Sequence, residues 1–206
     1  MGDCCDDFEA QALEARQRKV LVTVLLINLA TFIMMVAASV HSGSSALLSG
    51  TLDNLGDALT YALSLATVGA ATVVKARVAL FKGMLISLAA IVVASQIVWR
   101  LQDPTAPIVE TMGAAAILNL LANLVCLALL TPHRHEDVNM ASVWECSRND
   151  VYEGVAVIVT TVLVWITSSG WPDILVATVL LILFARSALR VLRSAWQNMQ
   201  GETNPT

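Results

Sequence analysis

Asp53 and Asp57 stand four residues apart in an otherwise apolar stretch, and Cys146, Asp150 and Glu153 follow at spacings of four and three in another. On a helix, a spacing of four puts two side chains on one face, about 6 Å apart. Two carboxylates at that distance repel, and either a proton or a divalent cation relieves the repulsion. A site that alternates between those two states is what a metal/proton exchanger requires. Packing aspartates, protonated or hydrogen-bonded, are the plainer use of the same pair.

Cys146, Asp150 and Glu153 span about 60° of arc at 100° per residue. Thiolate and carboxylate so placed can point at one ion, as paired helix ligands do. Asp53, Asp57, Cys146 and Asp150 would form a four-ligand set from two helices, with Glu153 as an accessory. Tetrahedral oxygen and sulfur coordination suits Zn²⁺ first, with Co²⁺ and Cd²⁺ as neighbours. Taken alone, Cys146 could equally be a buried, inert thiol, and Glu153 the partner of an arginine.

The elements that carry these residues follow from composition. The chain has 206 residues, 57% hydrophobic and 14% charged, with a mean hydropathy of +0.72. Soluble domains run about 45–50% apolar and about 25% charged. So little charge cannot wet a compact surface, which excludes an ordinary soluble domain. With 12 Lys and Arg against 16 Asp and Glu there is no basic field for nucleic acid. A charge at the bilayer centre costs on the order of 2.5–3.5 kcal/mol, so acids inside apolar segments stand out.

A span needs about 20 residues, and six with short loops use nearly the whole chain. Segment one is 20–40, segment two 46–74, segment three 78–99 and segment four 108–130. Segment five is 138–166, beginning with a polar helical stretch, and segment six is 173–192. Lys75, Arg77 and Lys82 mark a turn, and Pro172 suits a first helical position. Uniform runs of this length are helices rather than barrel strands, because backbone in lipid must satisfy its own hydrogen bonds. The predicted fold is an all-α, polytopic membrane protein with six transmembrane helices. Its parts are a cytoplasmic segment at 1–19, a transport domain at 20–193 and a short cytoplasmic tail at 194–206.

Basic residues orient it. With both ends cytoplasmic (N-in/C-in), the inner side holds Arg16, Arg18, Lys19, Lys75, Arg77, Lys82, Arg134, Arg148, Arg186, Arg190 and Arg193. Only Arg100 lies outside. The apolar run from Val20 to Ala38 exceeds a signal-peptide core, so the first span is read as uncleaved. Met1-Gly2-Asp3-Cys4-Cys5 echoes an acylation signal, but Asp6 stands where Ser or Thr belongs.

Lesser marks remain. Asn28, Asn119 and Asn123 fit interhelical hydrogen bonds as well as a cation path. His133, His135, Glu136 and Asp137 form either a weak metal antenna or a solvated loop. Cys4 and Cys5, beside three aspartates, could capture a soft metal at the cytoplasmic door. Cys126 reads as a packing residue. Ala62, Ala66 and Ala70 form a small-residue stripe for helix packing. Asp57 lies about two turns deeper than Asp150 by a crude count, so for the three acids and the thiol to meet, either segment two projects into the cytoplasm or segment five starts early, for which Val138–Glu145 offers a stretch.

Segment two, Ser44 to Leu59 with Asp53-Asn54-Leu55-Gly56-Asp57 at its centre, resembles the second helix of the cation diffusion facilitators. That helix carries a metal-binding His or Asp followed four residues later by Asp. Cys146-Ser147-Arg148-Asn149-Asp150-Val151 resembles the family's fifth helix, where the pair recurs. Asp53, Asp57 and Asp150 match directly. Cys146 replaces the commoner His or Asp, as in a short branch where Cys-Ser-Arg-Asn-Asp follows Asp-Val-Asn-Met, here Asp137 to Met140.

The resemblance covers roughly residues 15–196. It implies a secondary transporter that exports Zn²⁺, Co²⁺ or Cd²⁺ from the cytoplasm in exchange for protons. The metal is cargo and no prosthetic group is expected. It also implies a homodimer in a lipid bilayer, expected to be a bacterial inner membrane. The cytosolic domain that usually follows the sixth helix has no counterpart in this sequence, and Glu153 stands where a small residue is expected. A non-transporting metal sensor or scaffold is the alternative. An enzyme is not expected, because no His or Ser is poised beside the acids.

Overall fold

The computed structural model describes residues 3–66, 72–135 and 138–202, with side chains for 15–62, 81, 83–135, 140, 143–186 and 189. The described residues form six α-helices: α1 (Asp3–Ser42), α2 (Ser45–Ala66), α3 (Thr72–Arg100), α4 (Val109–Leu130), α5 (Val138–Thr167) and α6 (Trp171–Glu202). A 3-10 turn at Thr131–His133 follows α4. The side chains of Cys4, Cys5, Ala66, Lys75, Arg77, Lys82, Arg190 and Arg193, and residues Ala70, Glu136 and Asp137, lie outside the described set.

Helix boundaries follow the breakers. Neither α1 nor the run from Asp173 to Gln200 contains Gly or Pro, so both helices run on past their apolar cores. The helix therefore crosses the expected boundary at residue 19 unbroken, and α6 continues through the expected tail to Glu202. The expected turn at Lys75–Lys82 is instead part of α3. Pro172 takes the second position of α6, still among the first four residues, whose amides have no helical acceptor. Gly43, with φ of 72°, turns the chain between α1 and α2.

Four helices contain stretches long and apolar enough to cross a membrane: Ala15–Ser42, Gly83–Arg100, Val109–His133 and Val143–Thr167. Their outward faces carry exposed apolar side chains such as Leu26, Ile33, Ile91, Leu121 and Val159. Polar side chains such as Asn28, Asn54, Asn119, Asn123 and Thr160 are buried instead. Apolar outside and polar inside is the arrangement lipid imposes. The protein is an all-α, polytopic membrane protein.

Among the described residues α2 and α6 fail that span test, and for α2 the packing explains why. Helices α1, α2, α5 and α4 close into a ring, each touching the next, while α3 and α6 pair beside α2. Helix α2 thus contacts all five others. It meets little lipid and can carry acids that an outer helix could not.

One end of the bundle is tied. Asp173, fully buried near the start of α6, accepts hydrogen bonds from Ser44 Oγ at 2.6 Å, Ser45 N at 2.7 Å and Ala46 N at 3.0 Å. Ser44 Oγ also accepts the Leu47 amide at 3.1 Å. The N-terminus of α2 is therefore capped twice, once by its own serine and once by a carboxylate from α6. Beside it, Arg100 donates to the Thr105 carbonyl at 2.8 Å, and Gly170 N to the Pro104 carbonyl at 3.1 Å. At Gly170 a Cβ would stand 2.4 Å from the Thr105 oxygen, so no side chain fits.

Two apolar clusters fill the interior. Met35, Leu47, Leu52, Ile97, Met112, Val157 and Ile174 belong to the first; Leu21, Val24, Tyr61, Cys126, Leu130, Met140 and Val143 form the second. Lipid tails are as apolar as leucine, so these clusters contribute close packing rather than transfer from water. Along α2, Asp53 and Asp57 fall between Leu52 of one cluster and Tyr61 of the other.

Candidate metal site

A cavity of about 610 Å³ opens between α2, α3, α5 and α6. Asp53, Asp57, Cys146, Asp150 and Glu153 all line it, together with Gly56, Gly83, Thr60 and Phe184. Gly56 and Gly83 leave room there; a Cβ on Gly56 would touch the Phe184 ring at 3.5 Å. The cavity lies in the half of the bundle away from the Asp173 tie.

Helix α5 starts at Val138, the early start that is one of the two ways for Asp57 and Asp150 to meet. Across the seam, the Asp57 carboxyl faces that of Asp150, and the Asp53 carboxyl faces that of Glu153. The acids therefore form two rungs, each joining α2 to α5. Asp57 and Asp150 are buried, and Asp53 and Glu153 half-buried. Cys146 is exposed at the cavity, which corrects the reading of it as a buried thiol.

Among the described residues no three His, Cys, Asp or Glu side chains converge closely enough to hold one ion. The donors stand as rungs along a cavity wall rather than as a closed cage. Glu153 faces Asp53 across the α2–α5 seam. His133 is buried away from this cavity, and His135 is exposed with its Nε2 accepting from Arg134 Nε at 2.9 Å. Neither lines the cavity. Cys126 is buried within the second apolar cluster, 4.0 Å from Asn28 Nδ2.

Two features escaped sequence reading. Tyr61 Oη donates to Asp57 Oδ2 at 2.9 Å, and its ring is 1% exposed. It stands four residues after Asp57, the spacing that flagged the acids themselves. The other is the tie at Asp173, which carried no signal beyond an acid in a first helical turn. The asparagines act as interhelical bonds: Asn54 Nδ2 donates to Asn119 Oδ1 at 2.9 Å, and Asn123 Nδ2 to the Asp150 carbonyl at 3.5 Å. These fix α4 against both acid-bearing helices.

The described residues form a helical membrane bundle whose acids and one thiol face a single open cavity. The chain matches the cation efflux transmembrane domain family over residues 21–199, and it belongs to that family, the cation diffusion facilitators. No curated protein matches it. The family is one of metal-cation transporters and not of enzymes, and this chain is an integral membrane protein whose cargo is metal cations.

Proposed function

We propose that the protein exports a divalent transition metal, Zn²⁺ foremost and then Co²⁺ or Cd²⁺, in exchange for protons. The cargo binds at Asp53, Asp57, Cys146 and Asp150, with Glu153 as a further donor. The observation that carries this reading is the pair of carboxyl rungs, Asp57–Asp150 and Asp53–Glu153, facing one cavity. A divalent cation entering the cavity takes the place of the rung protons, because carboxylates and thiolates bind metal only when deprotonated. Metal and proton then exclude each other, and their exchange is the transport step.

The direction follows from the basic residues. Eleven of the twelve Lys and Arg fall on the side of the chain termini in a six-span arrangement, which supports N-in/C-in. The open cavity then faces the cytoplasm and the Asp173 tie seals the outer end. Export requires the tied end to open while the rungs are in their metal-bound form. Reprotonation from outside releases the ion.

Reconstitution tests the proposal. In proteoliposomes, an imposed pH gradient should drive Zn²⁺ accumulation, and Zn²⁺ movement should carry protons the opposite way. Stoichiometric Zn²⁺ binding without flux would overturn it in favour of a sensor or scaffold.

A further inference from the structure

The second apolar cluster contains one side chain that reaches the acids. Tyr61 is held among Leu21 and Val24 of α1, Leu130 of α4 and Val143 of α5, and only its hydroxyl is polar. That hydroxyl donates to Asp57 Oδ2 at 2.9 Å. Because Tyr61 lies one turn beyond Asp57 on the same helix, the phenol and the carboxyl move together, and the packed ring cannot swing away. We infer that Tyr61 is a positioning residue for the cation site, and that through Asp57 it selects small ions over large ones. The inference rests on the reading of Asp57 as a ligand given above.

The selection is geometric. Oδ2 of Asp57 is engaged by the phenol, so a cation that takes Oδ1 alone leaves the bond intact. A cation that takes both oxygens displaces the hydroxyl and leaves it buried without an acceptor. Zn²⁺ binds carboxylate oxygen at about 2.0–2.2 Å in four-coordinate sites and does well with one oxygen. Ions with larger oxygen-rich shells, such as Ca²⁺, use bidentate carboxylates among about six to eight oxygens, and Mn²⁺ shares the preference for oxygen ligands. Tyr61 therefore favours the first kind and penalises the second. Removing the hydroxyl frees the Asp57 carboxyl to rotate and to chelate.

Calorimetric titration of the full chain in nanodiscs with Zn²⁺, Mn²⁺ and Ca²⁺ tests this. In Tyr61→Phe, Zn²⁺ affinity should fall roughly 10–100-fold, as it does when an outer-shell partner is lost. Mn²⁺ and Ca²⁺ affinity should hold or rise, with the thermal midpoint unchanged. An equal loss for all three ions, or no change for any, overturns the inference. Asp57→Asn separates the two readings: normal Zn²⁺ binding in that variant sinks the ligand assignment itself, whereas lost binding there with an unaltered Tyr61→Phe sinks only the role of Tyr61. A second measurement needs no change at Tyr61. The chain has two tyrosines, so Tyr152→Phe leaves Tyr61 as the sole one. Its ultraviolet resonance Raman signature should remain that of a hydrogen-bond donor with Zn²⁺ bound and lose that character with Mn²⁺. A signature lost with Zn²⁺, or the same with both ions, contradicts the selection.

Discussion

Asp173 of α6 accepts the amide of Ser45 at 2.7 Å, so the first turn of α2 is capped by a different helix. The same carboxylate takes the Ser44 hydroxyl and the Ala46 amide. The helix that carries Asp53 and Asp57 is thus anchored at its head to the helix that carries the Phe184 wall of the cavity. Helix α2 is thus central, acid-bearing and tied at its head.

Asp173→Ala leaves buried donors without an acceptor, at about 1–3 kcal/mol for each one. The thermal midpoint in detergent should fall clearly. Asp173→Asn, which keeps one acceptor oxygen, should fall by less than half as much. An unchanged midpoint in Asp173→Ala would mean the tie holds nothing.

The Asn54–Asn119 bond links α2 directly to α4. Interhelical hydrogen bonds in membranes average about 0.6 kcal/mol in double-mutant cycles and reach at most about 1.7. A cycle of Asn54→Ala and Asn119→Ala should return a coupling in that range from unfolding in mixed micelles. A coupling of zero contradicts the bond.

Metal affinity should depend on pH with a fixed sign. In the proposed exchange Zn²⁺ displaces protons from the Asp57–Asp150 pair, so binding should release protons and weaken as pH falls. For each proton released, the apparent affinity should drop up to about tenfold per pH unit. Titrations between roughly pH 6 and pH 8, in two buffers of different ionisation heat, give the proton count directly. Asp57→Asn should flatten the slope, because one partner of the rung no longer ionises.

Much of this architecture is legible in the residues. The apolar runs locate the helices, and the acids at 53, 57 and 150 announce themselves because charge is so scarce between the loops. The meeting of Asp57 with Asp150 follows once α5 is allowed to begin at Val138. What the sequence hid has a common cause. Local spacing says which side chains share a face, but not which of two facing helices is in register with the other. On spacing alone Glu153 can meet either an arginine or the acids, and the fold sets it opposite Asp53. The Asp173 tie joins residues 128 apart in the chain, and no periodicity reports such a contact. Tyr61 was hidden differently, since an aromatic near an apolar cluster reads as packing until its hydroxyl is placed. Helices α1 and α6 run past their apolar stretches, because apolar content marks where lipid ends, not where helical backbone does.

In the proposed cycle the rungs carry the cargo. Zn²⁺ flux into proteoliposomes under an imposed pH gradient, measured for Asp57→Asn combined with Asp150→Asn, tests it most directly. Both substitutions keep side-chain volume and remove the charges that a metal needs. Flux should fall to the level of empty liposomes while the protein stays folded by its thermal midpoint. Undiminished flux in that double variant would contradict it.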